Sequence, residues 1–303
     1  MTRRPLLALL LGTLALGGCT PPASPADEAV RDGLGREVHV PAAPRRLVSL
    51  APNVTETIVA LGLTDRLVGV SDFCTLPPGA TGVRRVGGLL TPDLEVIRSL
   101  HPDLLIGTTS GNDPGLGAQA EALGLPLYIL QARTVDEVLL GIEALAAVLG
   151  EPERGRTLAL SLRSRLQAVE QRSSGRARPR VLFIIWSEPL VVPGSGAFLT
   201  DAIQKAGGVS VTAGVAAAHQ SYSIESAVAL APEVILTTRD NGSLPDRILG
   251  DPVWAAVPAV KSRRVYLVGD AIVRPGPGVV DGIEEIAGRL HPEDRTSEQP
   301  TPP

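Results

Sequence analysis

Two stretches of the chain decide its fold. One is Thr91-Pro92-Asp93-Leu94-Glu95-Val96-Ile97-Arg98-Ser99-Leu100-His101-Pro102-Asp103-Leu104-Leu105-Ile106-Gly107. The other is Tyr222-Ser223-Ile224-Glu225-Ser226-Ala227-Val228-Ala229-Leu230-Ala231-Pro232-Glu233-Val234-Ile235-Leu236. With Glu95 set on Glu225, Leu100 falls on Leu230, Pro102 on Pro232 and Asp103 on Glu233. Each reads as a short helix, a proline stop and an apolar strand. Proline cannot continue a helix, and the residue before it avoids helical dihedrals. An apolar run after the stop suits a strand buried on both faces of a parallel sheet.

A second echo works outward from the first. Thr55-Glu56-Thr57-Ile58-Val59-Ala60-Leu61-Gly62 matches Thr200-Asp201-Ala202-Ile203-Gln204-Lys205-Ala206-Gly207. Both read as helices closed by a glycine cap. The same order in each half predicts two similar α/β lobes.

The intervening chain fits this plan. Val30–Val40 reads as a hairpin with Asp32-Gly33 near its turn. Strands are expected at 46–50, 67–70 and 127–130, with a long loop over 72–86, a loop over 107–117 and a helix over 118–123. Ala51-Pro52-Asn53 reads as a turn, and Asn53 with Glu56 as a capping box. Val135–Leu149 reads as one helix. A second runs from Pro152 to about Arg172, with Leu158, Leu162, Leu166 and Val169 as its apolar stripe. At 1.5 Å per residue it is a rod about 30 Å long, enough to bridge two lobes. The second half predicts strands at 181–185, 234–236 and 265–268, a Pro- and Gly-rich loop over 187–196, and a closing helix over 280–290.

The chain has 303 residues, 44% of them hydrophobic, and a formal charge of −4. That permits one large domain or two ordinary ones and excludes a general nucleic-acid footprint. No apolar run reaches the roughly 20 residues of a membrane span. The N-terminus reads as an export signal: Arg3 and Arg4, an apolar stretch over Leu6–Leu16, then Leu16-Gly17-Gly18-Cys19. This resembles a bacterial lipobox. Its implications are a signal peptide over 1–18, lipidation at Cys19 and a tether over 19–28, with the protein anchored on the periplasmic or cell-surface side. The lobes are expected at 29–133 and 179–290, the helical connector at 134–178, and a disordered tail at 291–303. With Cys19 lipidated, Cys74 stands alone and no disulfide forms within the chain. Cys74 reads as a small buried hydrophobe or, in its loop, as a ligand contact.

Several stretches together carry a wider resemblance. They are Arg46-Leu47-Val48-Ser49-Leu50-Ala51-Pro52-Asn53-Val54-Thr55-Glu56, Val86-Gly87-Gly88, Pro92-Asp93-Leu94-Glu95, Pro102-Asp103-Leu104-Leu105 and Arg274-Pro275-Gly276-Pro277. The chain resembles the substrate-binding lipoproteins of bacterial ABC importers for vitamin B12, ferric siderophores and haem, over about 32–292. The resemblance implies an α/β fold of two Rossmann-like lobes joined by a single long helix, with the ligand cleft between the lobes. It implies a monomer that serves a permease dimer. It also implies one glutamate per lobe that docks to transporter arginines, at positions matching Glu95 and Glu225. On their own residues, both glutamates also favour a helix N-terminus through the dipole.

Ligands of open α/β sheets bind beyond the carboxyl ends of the strands. Phe183, Tyr128 and Tyr266 lie in strands and read as core, and Trp254 and Phe198 as helix packing. Phe73, Trp186 and Tyr222 fall in loops and read as cleft aromatics. Pro52, Asn53, Cys74, Asn112, Glu188 and Arg274 complete the candidate ligand set. None of His39, His101, His219 and His291 has zinc-ligand spacing. No metal site, catalytic residue or resident cofactor is expected, and His219 with Tyr222 is the candidate axial ligand should the cargo be haem. A corrinoid is the favoured cargo, a haem or ferric siderophore the alternative. An exported enzyme or metal-cluster lipoprotein is the rival class. Gly115-Leu116-Gly117-Ala118-Gln119-Ala120 and Gly194-Ser195-Gly196 imitate catalytic motifs but read as turns.

Overall fold

The computed structural model describes residues 28–292. The signal peptide, nearly all of the tether with Cys19, and the tail beyond Pro292 lie outside the described residues. An antiparallel hairpin, β1 (Glu28–Arg31) and β2 (Glu37–Val40), opens the chain. Its turn is held by the Asp32 carboxylate, which accepts from the Leu34 and Arg36 amides and pairs with the Arg36 guanidinium at 2.6 Å.

The first lobe follows as β3 (Leu47–Ser49), α1 (Pro52–Ala60), β4 (Leu67–Val70), β5 (Arg84–Arg85), α2 (Leu94–Ser99), β6 (Leu104–Thr108), α3 (Leu116–Ala122) and β7 (Leu127–Leu130). The sheet order is β5-β4-β3-β6-β7, and every pair is parallel. Alternation along the strands feeds two cores. Leu47, Leu104 and Ile106 pack with Val54 and Ile58 on one face, while Val48 and Leu105 pack with Ile97 and Leu116 on the other. That double burial explains the continuous apolar runs.

Two antiparallel helices, α4 (Val135–Val148) and α5 (Pro152–Ser173), join the lobes. α4 starts in the second lobe's core through Val135, Val138 and Leu139, and ends in the first lobe's core through Leu145, Ala146 and Leu149. α5 carries the chain back, with Leu158 touching both cores and Leu162, Leu166 and Val169 buried in the second. The expected rod is therefore backed along its length by α4. Polar locks hold both ends. Arg66 donates to the Leu149 carbonyl at 2.7 Å and pairs with Glu151. At the other end Asp201 caps the Val135 amide at 2.8 Å, and Lys205 lies 3.3 Å from both Asp136 and Glu170.

The second lobe comprises β8 (Arg180–Ile184), β9 (Trp186–Ser187), β10 (Leu190–Pro193), α6 (Phe198–Lys205), β11 (Val209–Ser210), β12 (His219–Ser221), α7 (Ile224–Ala229), β13 (Val234–Thr238), α8 (Leu244–Gly250), α9 (Pro258–Lys261), β14 (Val265–Val268) and α10 (Val279–Leu290). Its parallel sheet runs β11-β8-β13-β14, which repeats β4-β3-β6-β7. The stretch 187–196 differs from the loop expected there. β9 and β10 form a hairpin across Glu188-Pro189, and β12 joins them in a small antiparallel sheet.

The duplication extends to single bonds. His101 and Ala231 both take a left-handed step before their prolines, at φ 47° and 44°. Asp103 accepts from the Arg46 amide at 2.8 Å, and Glu233 from the Arg180 amide at 2.7 Å. The Arg46 side chain donates to the Leu100 carbonyl, and that of Arg180 to the Leu230 carbonyl. Gly62 and Gly207 both close their helices at positive φ, 72° and 89°, which a glycine adopts without strain. The next amides, of Leu63 and Gly208, bond back to Ile58 and Ile203, each at 3.0 Å. One expectation fails here. Asn53 and Glu56 are not a capping box, because the helix starts two residues earlier, with Pro52 in its first turn and Ala51 as an uncapped N-cap. Thr134 caps α4 by accepting from the Glu137 amide, and the Glu137 carboxylate reaches back to the Arg133 amide, one residue before the N-cap, in a variant of the box.

Candidate ligand cleft

In both sheets the carboxyl ends of the strands meet where the lobes face each other. The first lobe brings the start of α1, after β3. The second brings the 274–278 loop, after β14. Asn53 is buried, and its amide donates to the Pro275 carbonyl at 3.1 Å. Glu56, one turn further along α1, lies 3.0 Å from the Arg274 Nε. Gly276 approaches so closely that an added Cβ would stand 3.2 Å from the Asn53 Cβ and carbonyl oxygen. Burial raises the Glu56 carboxyl above the ordinary range, and the nearby Arg274 guanidinium only partly offsets it. This junction forms the floor of the cleft. Pro52 is half-buried beside it.

Exposed aromatic side chains follow the carboxyl ends of strands in both lobes. Phe73, after β4, is 65% exposed, and Leu90, after β5, is 64% exposed. Trp186, after β8, is 53% exposed. Its indole N–H donates to the Glu188 carbonyl at 3.0 Å, which fixes the ring on the β9–β10 hairpin. The Glu188 carboxylate is exposed and pairs with Arg247 at 2.6 Å. Large apolar side chains left in water on the facing edges of two lobes mark a surface that gains by burial against a ligand.

Three candidates need correction. Cys74 is buried in the first lobe's core, with its sulfur 3.2 Å from the Ser71 hydroxyl, so it does not face the cleft. Asn112 is buried and its amide is already committed. It accepts from the Thr108 amide at 2.8 Å and donates to the Leu50 and Leu89 carbonyls at 3.0 and 2.9 Å. It braces the cleft loops from behind. Tyr222 packs half-buried against the second lobe's core, with its amide on the Leu190 carbonyl at 2.8 Å. Its ring is core-facing rather than offered as a platform.

Glu56, Pro275 and Gly276 are junction residues that the sequence marks as motif residues but not as candidate ligand contacts. Glu56 was absorbed by the capping-box reading, and no local pattern reports a contact made across more than 200 positions. Burial lowers the His219 imidazole below its ordinary value. His39 lies 3.7 Å from Glu37 on the hairpin, and His101 sits at the helix stop before β6. Among the described residues no group of three or more His, Cys, Asp or Glu is placed to hold a metal ion. A groove of about 620 Å³ opens between β2 and the end of α3. It lies at the amino end of β7, on the opposite edge from the cleft, and so outside the region where ligands of such sheets bind.

Glu95 and Glu225 occupy equivalent places. Each is exposed, second in its helix, behind an N-cap whose side chain accepts from the first turn: Asp93 for α2 and Ser223 for α7. The Glu225 carboxyl is held below the ordinary range by its own backbone N–H and by the Ser223 hydroxyl.

This architecture is that of a two-lobed solute-binding protein. The family model described as "Periplasmic binding protein" matches residues 47–271, and the chain belongs to that family. It is similar to the vitamin B12-binding protein of Vibrio cholerae, with 32% identity over 250 residues, covering 81% of this chain and 88% of that one. The crystal structure of the periplasmic vitamin B12 binding protein BtuF of Vibrio cholerae matches with a TM-score of 0.72 and 30% identity, covering 85% and 99% of the two chains. The periplasmic heme-binding protein RhuT from Roseiflexus sp. RS-1 matches with a TM-score of 0.72 and 28% identity, covering 82% and 98%.

Proposed function

We propose that this protein is the substrate-binding component of an ABC importer, that its cargo is a corrinoid of the cobalamin type, and that it delivers this cargo to a membrane permease. The observation that carries the reading is the pair of exposed aromatic edges, Phe73 on one lobe and Trp186 on the other, above a floor where both sheets end. A flat, bulky chelate buried between them gains most of its binding energy from apolar area, at about 25 cal/mol per Å². The similarity to vitamin B12-binding proteins supports the choice of cargo. Nothing in this role requires catalysis. The protein works as a monomer tethered through lipid on Cys19, a reading supported by the Leu16-Gly17-Gly18-Cys19 motif.

The test is a visible absorption spectrum of the purified mature protein after mixing with cyanocobalamin, haemin or a ferric siderophore and then desalting. Retained cobalamin is the expected result. Retention of haemin alone would replace the cargo and keep the class. Retention of none would overturn the cargo assignment.

A further inference from the structure

The lobe junction carries a charge pair with no evident structural need. Arg274 leaves the last cleft loop and brings its Nε within 3.0 Å of the Glu56 carboxylate of the other lobe, an ion pair in which the buried Nε–H is not aligned for a hydrogen bond. Their side chains are only 35% and 33% exposed. The two lobes are already joined here by the Asn53–Pro275 hydrogen bond and the close seat of Gly276. They are also joined by two helices that share both cores. An ion pair taken partly out of water contributes little net stability, because desolvation offsets attraction. The carboxyl's upward displacement has that same cause. Asp281, on the following helix, is felt by Glu56 only weakly, and its carboxylate is itself paired with Arg165 at 2.5 Å.

We infer that Glu56 is a specificity-determining residue of the cleft: by pairing with Arg274 across the lobes it cancels the guanidinium that the last loop brings to the cleft floor, so that the cleft accepts a chelate without net charge and discriminates against anionic ones. The inference rests on the substrate-binding reading and sharpens it. A guanidinium presented alone is a strong receptor for carboxylates, through two parallel N–H donors. One already facing a carboxylate offers an incoming anion a field that is nearly neutral at close range. An anionic ligand must also approach Glu56 itself. Cyanocobalamin, whose charges balance internally, meets no such penalty. Haemin, with two propionate carboxylates, does.

The test compares Glu56→Gln with the parent, using cyanocobalamin and haemin as probes in equilibrium titrations at neutral pH. Glutamine keeps the shape of the side chain and removes its charge. Haemin affinity is expected to rise by roughly tenfold or more, the order expected for removing one opposing charge at a partly buried site. Cyanocobalamin affinity should change by much less than haemin affinity, so the readout is the ratio of the two, which shifts toward haemin by roughly tenfold. The double variant Glu56→Gln with Arg274→Gln should return haemin affinity to near the parent value. Glu56→Asp withdraws the carboxylate by one methylene and should shift haemin affinity in the same direction, which keeps the test open should the glutamine variant fail to fold. Unchanged haemin affinity in the folded variants overturns the inference, as does a gain that survives loss of Arg274. Cyanocobalamin binding by the parent is judged separately. Its absence would overturn the cargo reading while the haemin comparison still decides the role of Glu56.

Discussion

Single residues in this protein divide by whether their polar atoms are already used. Asn112 lies in a loop with a free-looking amide, and only the folded chain reveals that three backbone groups claim it. Asn112→Ala strips partners from buried amide and carbonyl groups of Thr108, Leu50 and Leu89. Each orphaned group costs about 1–3 kcal/mol, so the variant should lose about 3 kcal/mol or more of unfolding free energy in a urea titration. Ligand affinity at low temperature should change little, because the side chain does not reach the cleft. A large affinity loss at unchanged stability would place Asn112 against the ligand instead. Trp186 is the opposite case, with its N–H satisfied and its ring in solvent. Trp186→Ala should weaken cyanocobalamin binding by about 1–3 kcal/mol with no loss of melting temperature. Calorimetry giving the parent affinity would remove Trp186 from the site. Phe73 and Trp186 both read as loop aromatics, and both rings are exposed, although Trp186 lies in strand β9 rather than in a loop. Loop position misplaced Cys74, Asn112 and Tyr222, because tertiary packing turns their side chains inward.

Elements were far more legible than side chains. Proline stops, glycine caps and apolar runs act within a few residues, so the β4, β7 and β14 ranges follow directly from the sequence, and most other elements do within a residue or two. The capping box at Asn53 failed for the converse reason. Its spacing is right, but the amide and the carboxylate find better partners in the other lobe, at Pro275 and Arg274. Periodicity also found α5 but not its dependence on α4, since helix pairing is a matter of contact rather than of period. Gly155 is the point of closest approach: a Cβ added there would overlap the Ala146 methyl and stand 3.3 Å from the Glu143 Cα. Gly155→Val therefore forces the two connector helices apart, with β-branching adding to the misfit. The expected cost is about 1–3 kcal/mol or somewhat more, as for other overpacked cores. Chemical denaturation measures it. A variant as stable as the parent would mean that the connector is looser than its shared cores imply.

At the scale of the whole molecule, duplication sets what the protein presents to a partner. α2 and α7 each end just before the amino end of a parallel strand, so they run against their sheets and their N-termini lie at the carboxyl edges. Glu95 and Glu225 thus stand on the same edge as the cleft mouth, one per lobe, both exposed, with the Glu225 carboxylate held by its own first turn. Neither enters a core cluster, and neither reaches the junction at Glu56 and Arg274. A permease must recognise its binding protein whatever the cleft holds, so a contact of this kind is suited to docking rather than to cargo. The docking we propose for these two carboxylates, related by the lobe repeat, pairs them with arginines on a two-fold permease. Such pairs govern encounter and orientation, and added salt weakens them. Glu95→Arg combined with Glu225→Arg should leave cyanocobalamin affinity and melting temperature near the parent values, because both side chains are in solvent. Uptake through the cognate transporter should fall by about tenfold or more, since each reversal replaces an attraction by a repulsion. Either single reversal should retain part of the activity, because the other lobe still docks. Uptake, affinity and melting are measured on the same preparations. Normal uptake by the double variant would remove the docking role. Lost cargo binding in a folded double variant would instead draw these helices into the cleft, and the equivalence of the two lobes would no longer explain their acidic first turns.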